Sequence, residues 1–523
     1  MSINFHTFSV FTKKFFNILF KLHKNIFSVY NRGMKIVLKG EAGKYKYAVE
    51  QMLLTVFPDE RPEYVLKKPQ EDCLSVSLSR AEMYSVSVCM LKRDGKVFKG
   101  MARELSSALT DEITTDRVCQ RLIKNSIYRA ALSSGIKKPV WGSLTGVRPG
   151  KIFRNLLRSG LSPDEAARRF ETDYGVDPVR AKLCSETSLE TLKAEESLAP
   201  KDICLYVGIP FCPTRCSYCS FVSASVEKST HLIVPFLDAL EKEAEALAAE
   251  TEKCSLRVVS LYFGGGTPTT LSASQFDRLF SLLESLYDLS SLRENTVEAG
   301  RPDTITSEKL EVLKKHGVTR ISVNPQTMND SVLEAIGRKH TASDISNALS
   351  LVREAGDFDV NMDLIAGLPR DDPESFRRTL DQVISLSPEN VTVHTLSLKK
   401  GSAITLGKTA LPTAGEVSQM LDDADVSLRK NGYSPYYLYR QKFMSGGFEN
   451  TGWAKPGHVN LYNICIMEEL CSILALGGGG SSKLIAPGDG RNIRLMAPKY
   501  PLEYIEHSDK LCEDKKKIAE FLK

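Results

Sequence analysis

Between residues 203 and 395, short apolar runs typical of strands alternate with amphipathic runs typical of helices. Parallel strands need a crossover between them, usually a helix, so the alternation predicts a parallel sheet covered by helices. We therefore expect an α/β fold built on a partial (β/α)6 barrel that resembles a TIM barrel. Such folds place their chemistry at the carboxyl ends of the strands. The predicted strands are residues 203–207, 258–263, 296–299, 320–323, 360–365 and 391–395.

The segments on either side of this repeat differ from it in pattern. Residues 34–198 predict an N-terminal α+β unit that continues as helices, and residues 401–523 predict a mixed C-terminal domain after the barrel of residues 199–400. Residues 1–33 are basic, rich in Phe and free of acidic residues. We interpret them as an upstream extension, with Met34 as the actual start. An amphipathic membrane-surface helix and a transit peptide are the alternatives. In the N-terminal unit, the predicted strands are residues 35–38, 74–78, 83–91 and 96–101.

Charge and cysteine usage exclude several classes of function. The net charge of +5 comes from the first 33 residues, and the rest of the chain is balanced, so we expect no nucleic-acid partner. No apolar run is long and uncharged enough for stable membrane insertion. The absence of a secretory signal predicts a cytoplasmic protein whose scattered cysteines are free, buried thiols. These are Cys73, Cys89, Cys119, Cys184, Cys204, Cys254, Cys465, Cys471 and Cys512.

Three of the twelve cysteines form a motif directly after the first predicted strand of the barrel. Cys212, Cys216 and Cys219 have the spacing C-x3-C-x2-C. Iron–sulfur cubanes are normally held by four thiolates, so three thiolates leave one iron open to another ligand. Zinc is the alternative, but it prefers four ligands, and the sequence has no second C-x2-C pair. The motif therefore predicts a [4Fe–4S] cluster.

The residues around these cysteines resemble a known family. Residues 206–212 read Tyr-x-x-Ile-Pro-Phe-Cys, which resembles the radical-SAM superfamily and, within it, the oxygen-independent coproporphyrinogen III oxidase group. The resemblance implies that the open iron binds S-adenosylmethionine (SAM), with one or two molecules per chain. Tyr206 stands where that family has a tyrosine against the SAM sulfonium, and we predict it as the catalytic residue. Tyr218 occupies the aromatic position that borders the adenine.

Residues at the ends of later strands match further SAM-binding positions of the family. Glycines let a backbone approach a ligand closely, carboxylates suit hydroxyl or ammonium groups, and a guanidinium suits a carboxylate. Ser397, after the sixth strand, is a candidate for a second SAM site. The predicted SAM-binding residues are Gly265, Gly266, Thr267, Glu298, Gln326, Arg338 and Asp363.

The resemblance extends from about Met34 to the end of the chain. Stretches outside the barrel are similar to the HemZ type of coproporphyrinogen dehydrogenase, which implies a radical-SAM oxidoreductase of porphyrin and haem biosynthesis. Its reaction would convert coproporphyrinogen III to protoporphyrinogen IX by oxidative decarboxylation through a 5′-deoxyadenosyl radical. Its electron donor would be a flavodoxin or ferredoxin. The stretches are residues 141–149, 435–442, 449–457, 461–464 and 476–483.

A tetrapyrrole with four propionates requires cationic neighbours, for which Arg440, Lys442, Lys455 and Lys483 are candidates. At two other positions the chain departs from the oxidases: Phe221 replaces a further cysteine, and Gly208 replaces a histidine. A haem-binding chaperone is therefore an alternative, although residues 459–463 lack the His-Asn-x-x-Tyr-Trp motif of those relatives. A radical-SAM methylase with another substrate is the third possibility.

Overall fold

A computed structural model describes residues 32–58, 60–67, 69–146, 148–219, 224–397, 410–441, 447–486 and 491–522. The chain divides into two compact units. One comprises Met1–Gly146 with Ala167–Ala181, and the other comprises Val147–Ala166 with Lys182–Lys523. Most of the predicted extension 1–33 lies outside the described residues. The predicted domain boundaries at residues 198 and 400 stay predictions.

The first unit is built on a five-stranded sheet. Its elements are β1 (Arg32–Gly40), α1 (Lys46–Val56), β2 (Glu60–Tyr64), β3 (Cys73–Arg80), β4 (Tyr84–Arg93), β5 (Lys96–Leu105) and α2 (Glu112–Ser133). The strand order is β2-β1-β3-β4-β5. Four of the five strands are those predicted, with longer bounds. The sequence did not predict β2, which contains Pro62 and lies at the edge of the sheet, where a residue without an N–H is tolerated.

Local sequence signals explain how this unit is connected. Asp94 and Gly95 have φ values of +50° and +76°, as a tight two-residue hairpin between β4 and β5 requires. Asp111 caps α2, because its carboxylate accepts a hydrogen bond of 2.9 Å from the amide of Thr114. Alternate residues of β4 are buried, which gives the sheet one face for its apolar core.

The second unit is built on an eleven-stranded sheet. Its strands are β6 (Asp202–Ile209), β9 (Arg257–Gly265), β10 (Glu294–Glu298), β11 (Arg320–Ser322), β12 (Asp359–Ala366), β13 (Asn390–Thr395), β14 (Ser434–Arg440), β15 (Glu449–Ala454), β16 (Ser472–Gly477), β17 (Ser481–Ile485) and β18 (Asn492–Met496). A separate two-stranded pair consists of β7 (Phe211–Cys212) and β8 (Ala224–Ser225).

The order in the large sheet is β14-β15-β13-β12-β11-β10-β9-β6-β16-β17-β18. The six predicted strands are consecutive neighbours and parallel, which confirms the α/β fold. β16 adds a seventh parallel strand beside β6, whereas β15 and β17 pair antiparallel. No pairing among the described strands closes the sheet into a barrel. Because β14 to β18 follow residue 400, both sides of that predicted boundary share one sheet.

Several helices of the remaining chain begin at a capping side chain. Ser162 and Glu165 form a capping box, with the Ser162 amide 2.8 Å from the Glu165 carboxylate. None of the described helices is long and apolar enough to cross a bilayer. They are α3 (Pro149–Arg158), α4 (Pro163–Tyr174), α5 (Pro178–Glu196), α6 (Val226–Ser229), α7 (Ile233–Lys253), α8 (Ala273–Leu286), α9 (Ser307–Lys315), α10 (Asp330–Ala335), α11 (Ala342–Ala355), α12 (Pro373–Ser385), α13 (Ala414–Lys430), α14 (Leu461–Glu468), α15 (Pro501–Glu506) and α16 (Ser508–Leu522).

Candidate active site

The three motif cysteines lie on the loop that follows β6, at the carboxyl edge of the parallel strands. Cys212 is in β7, and the amide of Cys219 donates to the carbonyl of Cys216 at 3.2 Å. The amide of Ser217 donates to the carbonyl of Ile336 at 3.0 Å, which ties the loop to the end of α10. All three thiols are partly exposed. The loop therefore presents thiols at the edge where a fold of this class binds its ligands.

The glycine-rich turn after β9 packs directly against the first of these cysteines. The amides of Gly266 and Thr267 donate to the carbonyls of Ile209 and Phe211 at 2.8 and 2.7 Å. The Thr267 hydroxyl lies 3.6 Å from the sulfur of Cys212. A Cβ on Gly266 would lie only 3.0 Å from that sulfur, so a glycine is required for this approach. The predicted Gly265–Thr267 turn thus lies beside the cysteine loop.

Two guanidinium groups donate hydrogen bonds to side chains of the cysteine loop. Arg338 donates to the carbonyl of Asn324 at 2.7 Å and to the Tyr218 hydroxyl at 3.2 Å. Arg301 donates to the Thr214 hydroxyl at 2.6 Å. The Nε of Arg338 is buried and has no hydrogen-bond partner among the described residues. Arg338 can therefore still donate to a ligand.

Three tyrosines and a carboxylate form the next part of the site. Tyr262 and Tyr462 stack with their ring centroids 4.1 Å apart, and the centroid of Tyr206 is 6.2 Å from each. The Tyr262 hydroxyl donates to Glu298 at 2.6 Å. Burial raises the pKa of Glu298 to about 7, against the hydrogen bond from Tyr262, which lowers it. Burial, with the charge of Glu298, also raises the pKa of Tyr206, so that its hydroxyl keeps its proton.

Asp363, at the centre of β12, has the opposite electrostatic setting. Its carboxylate accepts a hydrogen bond of 2.9 Å from Asn361 and lies 3.8 Å from the imidazole of His394 on β13. Burial acts to raise the pKa of Asp363. The nearby imidazole of His394, together with hydrogen bonds from Asn361 and Thr392, outweighs burial and lowers the pKa. Asp363 is therefore ionised at neutral pH.

Gln326 lies next to Asp363 in a strained backbone conformation. Its φ of +66° is in the left-handed region, which costs a residue with a side chain on the order of 1–3 kcal/mol. Its amide donates to the carbonyl of Asp363 at 2.9 Å, and its carbonyl accepts from the amide of Ile365 at 3.0 Å. These two bonds hold Gln326 beside β12, beyond the end of β11.

The motif thiols do not form a site for one metal ion. Among the described residues, the only group of three or more His, Cys, Asp or Glu side chains close enough for a single ion consists of Cys204, Cys465 and Cys471. The zinc interpretation of the motif therefore gains no support. A cubane, by contrast, binds each thiolate at a different iron, and three partly exposed thiols on one loop fit that donor set.

Comparison with known proteins identifies the family. Residues 206–383 match the Radical SAM superfamily. The HemZ oxygen-independent coproporphyrinogen-III oxidase-like protein of Bacillus subtilis is 36% identical over 93% of this chain and 98% of its own length. The chain belongs to the HemZ-type family of radical-SAM proteins.

Two further proteins share part of the chain. Heme chaperone HemW of Bacillus subtilis is 31% identical over 47% of this chain and 64% of its own length. The structure of the Escherichia coli coproporphyrinogen III oxidase HemN has 25% identity over 61% of this chain and 72% of its own, with a TM-score of 0.49. Membership of a radical-SAM family implies a [4Fe–4S] cluster and SAM as cofactors, and both predicted cofactors thus agree with the comparisons.

Of the two positions at which the sequence departs from the oxidases, the structure describes only Gly208. Phe221 lies outside the described residues. Gly208 is in β6, where a Cβ would lie 2.8 Å from the carbonyl oxygen of Gly478 and 3.3 Å from the ring of Tyr206. Because β6 and the turn after β16 approach so closely, a histidine cannot replace Gly208 without moving one of them.

Three of the four cations predicted for the propionates form contacts within the protein. Lys483 is buried and forms an ion pair with Glu469. Lys455 donates to the carbonyl of Ser387 at 2.8 Å, and Arg440 donates to the carbonyl of Gly447. Lys442 lies outside the described residues. The ammonium of Lys483 neutralises a neighbouring carboxylate in this structure, and its contact with a substrate stays a prediction.

Sequence reasoning missed three residues of the site. Tyr262 and His394 lie within predicted strands, and Arg301 follows the predicted strand of residues 296–299. A polar side chain near the carboxyl end of an otherwise apolar strand is the signal that marks the first two. Arg301 has no such signal, because its partner Thr214 is distant in sequence.

Proposed function

We propose that this chain catalyses the SAM-dependent, oxygen-independent oxidative decarboxylation of coproporphyrinogen III to protoporphyrinogen IX. The observation that supports this function is the extent of the similarity to the oxidase-like HemZ relative, which covers 98% of that protein. The match to heme chaperone HemW covers 47% of this chain. A tetrapyrrole substrate and a cytoplasmic location are parts of the same proposal.

In this proposal, the thiolates of Cys212, Cys216 and Cys219 hold the [4Fe–4S] cluster. When bound, the cluster and SAM would supply 5′-deoxyadenosyl radical chemistry that takes a hydrogen atom from a propionate of the substrate. CO₂ would then leave, and an external acceptor would take the remaining electron. Thr267 supports Cys212, and Arg301 supports the backbone between the first two cysteines through Thr214. The glycine turn leaves room above Cys212 that a side chain on Gly266 would fill.

We propose that the polar side chains along the parallel strands together bind one SAM molecule. Arg338 would pair with the SAM carboxylate through its free Nε, and Tyr218 would border the adenine. Glu298 and Asp363 would accept from the SAM ammonium and ribose hydroxyls, while Gly265 would offer backbone groups and Gln326 its side-chain amide. Tyr206 would contact the sulfonium with its neutral ring.

A second SAM molecule has one candidate residue. The hydroxyl of Ser397 is buried and has no hydrogen-bond partner within the described part of the chain. It lies after β13, the last of the six predicted strands. An external flavodoxin or ferredoxin would supply the electron.

The deciding experiment is an anaerobic product assay. Cluster-reconstituted protein is incubated with SAM, dithionite and coproporphyrinogen III, and the products are separated by chromatography. We expect protoporphyrinogen IX with two molecules of CO₂ and two of 5′-deoxyadenosine per substrate. Cys216→Ala should abolish all three products. Arg338→Lys should weaken SAM binding at least tenfold, because a lysine cannot reproduce the planar fork of donors.

Two results would contradict the proposal. One is 5′-deoxyadenosine without a decarboxylated product, which would leave the radical chemistry intact but remove the substrate. The other is stoichiometric haem binding without turnover, which would place the chain functionally with the chaperone relatives. Lys339→Met, next to Arg338 but exposed, is a matched control and should leave SAM binding unchanged.

A further inference from the structure

Three cysteines that the sequence scatters over 268 residues converge in the interior of the second unit. Cys204 is in β6, Cys465 is in α14, and Cys471 directly precedes β16. Their sulfur atoms all lie within 4.8 Å of one another. The three side chains are buried, with 0%, 0% and 8% of each residue exposed.

The fold brings these thiols together through one turn and one strand pairing. Glu469, with φ at +58°, ends α14 and turns the chain so that Cys471 lies close to Cys465. β16 then pairs in parallel with β6, with Ile473 opposite Cys204. Cys471 therefore lies two residues out of register with Cys204, and their sulfurs are 3.7 Å apart.

This register argues against a disulfide between Cys204 and Cys471. Positions offset by two residues on neighbouring strands have Cα atoms roughly 7–8 Å apart. Disulfides rarely span more than about 7 Å between Cα atoms, and they require sulfurs at about 2.05 Å. Oxidation of this pair would thus need a shift of the strand backbone. A metal ion between the sulfurs would not.

We propose that Cys204, Cys465 and Cys471 form a binding site for a soft monovalent metal ion, Cu(I), in three-coordinate thiolate geometry. With metal–sulfur bonds of about 2.3 Å, three sulfurs around one ion lie about 4.0 Å apart, close to the arrangement present. Soft thiolate ligands favour Cu(I). Structural zinc takes four ligands, and no fourth His, Cys, Asp or Glu belongs to this group among the described residues.

The surroundings of the three thiols favour a three-coordinate ion. Val259, Leu461 and Ile473 are buried around them and supply no polar atom from their side chains. Tyr462 is buried in the same cluster, and burial raises the pKa of its hydroxyl, so the phenol stays protonated and is a poor ligand for a soft ion. The three aliphatic side chains disfavour a water as a fourth ligand, because a buried water needs several polar partners.

This site is separate from the motif cysteines. Cys204 and Ile209 are five residues apart in β6, which at about 3.3 Å per residue is about 17 Å. Cys212 follows beyond Ile209, at the opposite end of the strand. Copper binding here would therefore neither require nor displace a [4Fe–4S] cluster, and the inference does not depend on the proposed reaction.

The test is anaerobic metal retention by the cluster-reconstituted protein. Cu(I) is added as its acetonitrile complex, excess metal is removed with bathocuproine disulfonate, and copper and iron are counted by mass spectrometry. We expect one copper per chain with unchanged iron. X-ray absorption should show three sulfur neighbours at about 2.3 Å and no iron neighbour. Cys465→Ala should reduce copper retention at least tenfold.

Cys184→Ala is the matched control, since Cys184 is equally buried but lies outside the trio; it should retain copper like the wild type. The proposal is overturned if the wild type retains no copper, if Cys465→Ala retains it equally, or if Zn(II) is retained in its place. Should Cys465→Ala fail to fold, the absorption spectrum of the wild-type protein decides alone. Fewer than three sulfur neighbours would then refute the site.

Discussion

Glu298 and Asp363 show how one sheet gives two carboxylates different charges. Burial raises the pKa of Glu298 to about 7, and the charge of Asp363 raises it further. His394 lowers the pKa of Asp363 despite its burial. Near neutral pH, Asp363 is therefore ionised, while Glu298 titrates. Pairs of carboxylates set apart in this way are common where one site needs both a fixed and a variable charge.

The raised pKa of Glu298 predicts how pH affects the stability of the cofactor-free protein. Between its unfolded pKa of 4.5 and its folded pKa of about 7, only the folded chain holds the proton. The free energy of unfolding should therefore fall as the pH rises through this window, by about 1–3 kcal/mol. We expect Glu298→Gln to lack that part of the fall when urea unfolding is measured at pH 5 and pH 7.5.

The control for this prediction is Glu308→Gln, which removes an exposed carboxylate of α9. It should keep the pH dependence of the wild type. If Glu298→Gln behaves like this control, the carboxyl group of Glu298 is not desolvated in solution.

Among the elements, β14 and β15 depend on a glycine for their packing. Gly452 faces Tyr437 in the antiparallel register, and a Cβ at Gly452 would overlap the ring of Tyr437 and lie 2.9 Å from the ring of Tyr436. Both tyrosines are buried in the core beside α14. The edge of the sheet can therefore close over its aromatic core only because this position has no side chain.

A pair of glycine substitutions tests this packing. Gly452→Ala should destabilise the protein by about 1–3 kcal/mol through overpacking. Gly415→Ala, within α13, meets no atom nearer than 3.8 Å and should stabilise by up to about 1 kcal/mol, because alanine is the better helix former. Thermal unfolding of both variants measures the difference. Equal effects would mean that β14 moves away from β15 without cost.

At the scale of the whole molecule, the chain passes between its two units more than once. The segment Val147–Ala166 belongs to the second unit, although Ala167–Ala181 returns to the first. Within the second unit, Arg154 of α3 forms a buried ion pair of 2.7 Å with Glu468 of α14. Helix α3 thus supplies the charge that balances a carboxylate deep in this unit.

This path predicts that a fragment beginning at residue 199 is less stable than the full chain. A fragment of residues 199–523 lacks Arg154 and leaves Glu468 buried without its partner. In the intact chain, we expect Arg154→Met to cost about 3–5 kcal/mol, because it leaves the same charge uncompensated. Arg168→Met, in an exposed position, should cost less than about 0.5 kcal/mol. Urea unfolding measures both.

A measurement on the fragment of residues 199–523 could contradict this prediction. If residues 199–523 fold as stably as the full chain and bind iron after reconstitution, the buried pair contributes little. The predicted boundary at residue 198 would then be the functional one.

Local patterns in the sequence predicted much of the fold. The six βα alternations predicted parallel strands that are indeed neighbours, and capping residues such as Ser162 marked helix starts. These signals are local, because a period of apolar residues or a side chain three positions from an amide acts within one element. The sequence did not predict β2 or the seventh parallel strand, β16. β2 is an edge strand with a proline, and the partner of β16 lies some 270 residues away in sequence.

By itself, the sequence determined the cysteine loop, the glycine turn and the polar residues at the strand ends, since spacing along the chain is what a motif records. Only the tertiary structure decided which side chains meet. It paired Tyr262 with Glu298, His394 with Asp363 and Lys483 with Glu469. It also gathered Cys204, Cys465 and Cys471 around one point. The physical reason is that such contacts join residues distant in the chain, whose distances are set by strand order and register and not by any local pattern.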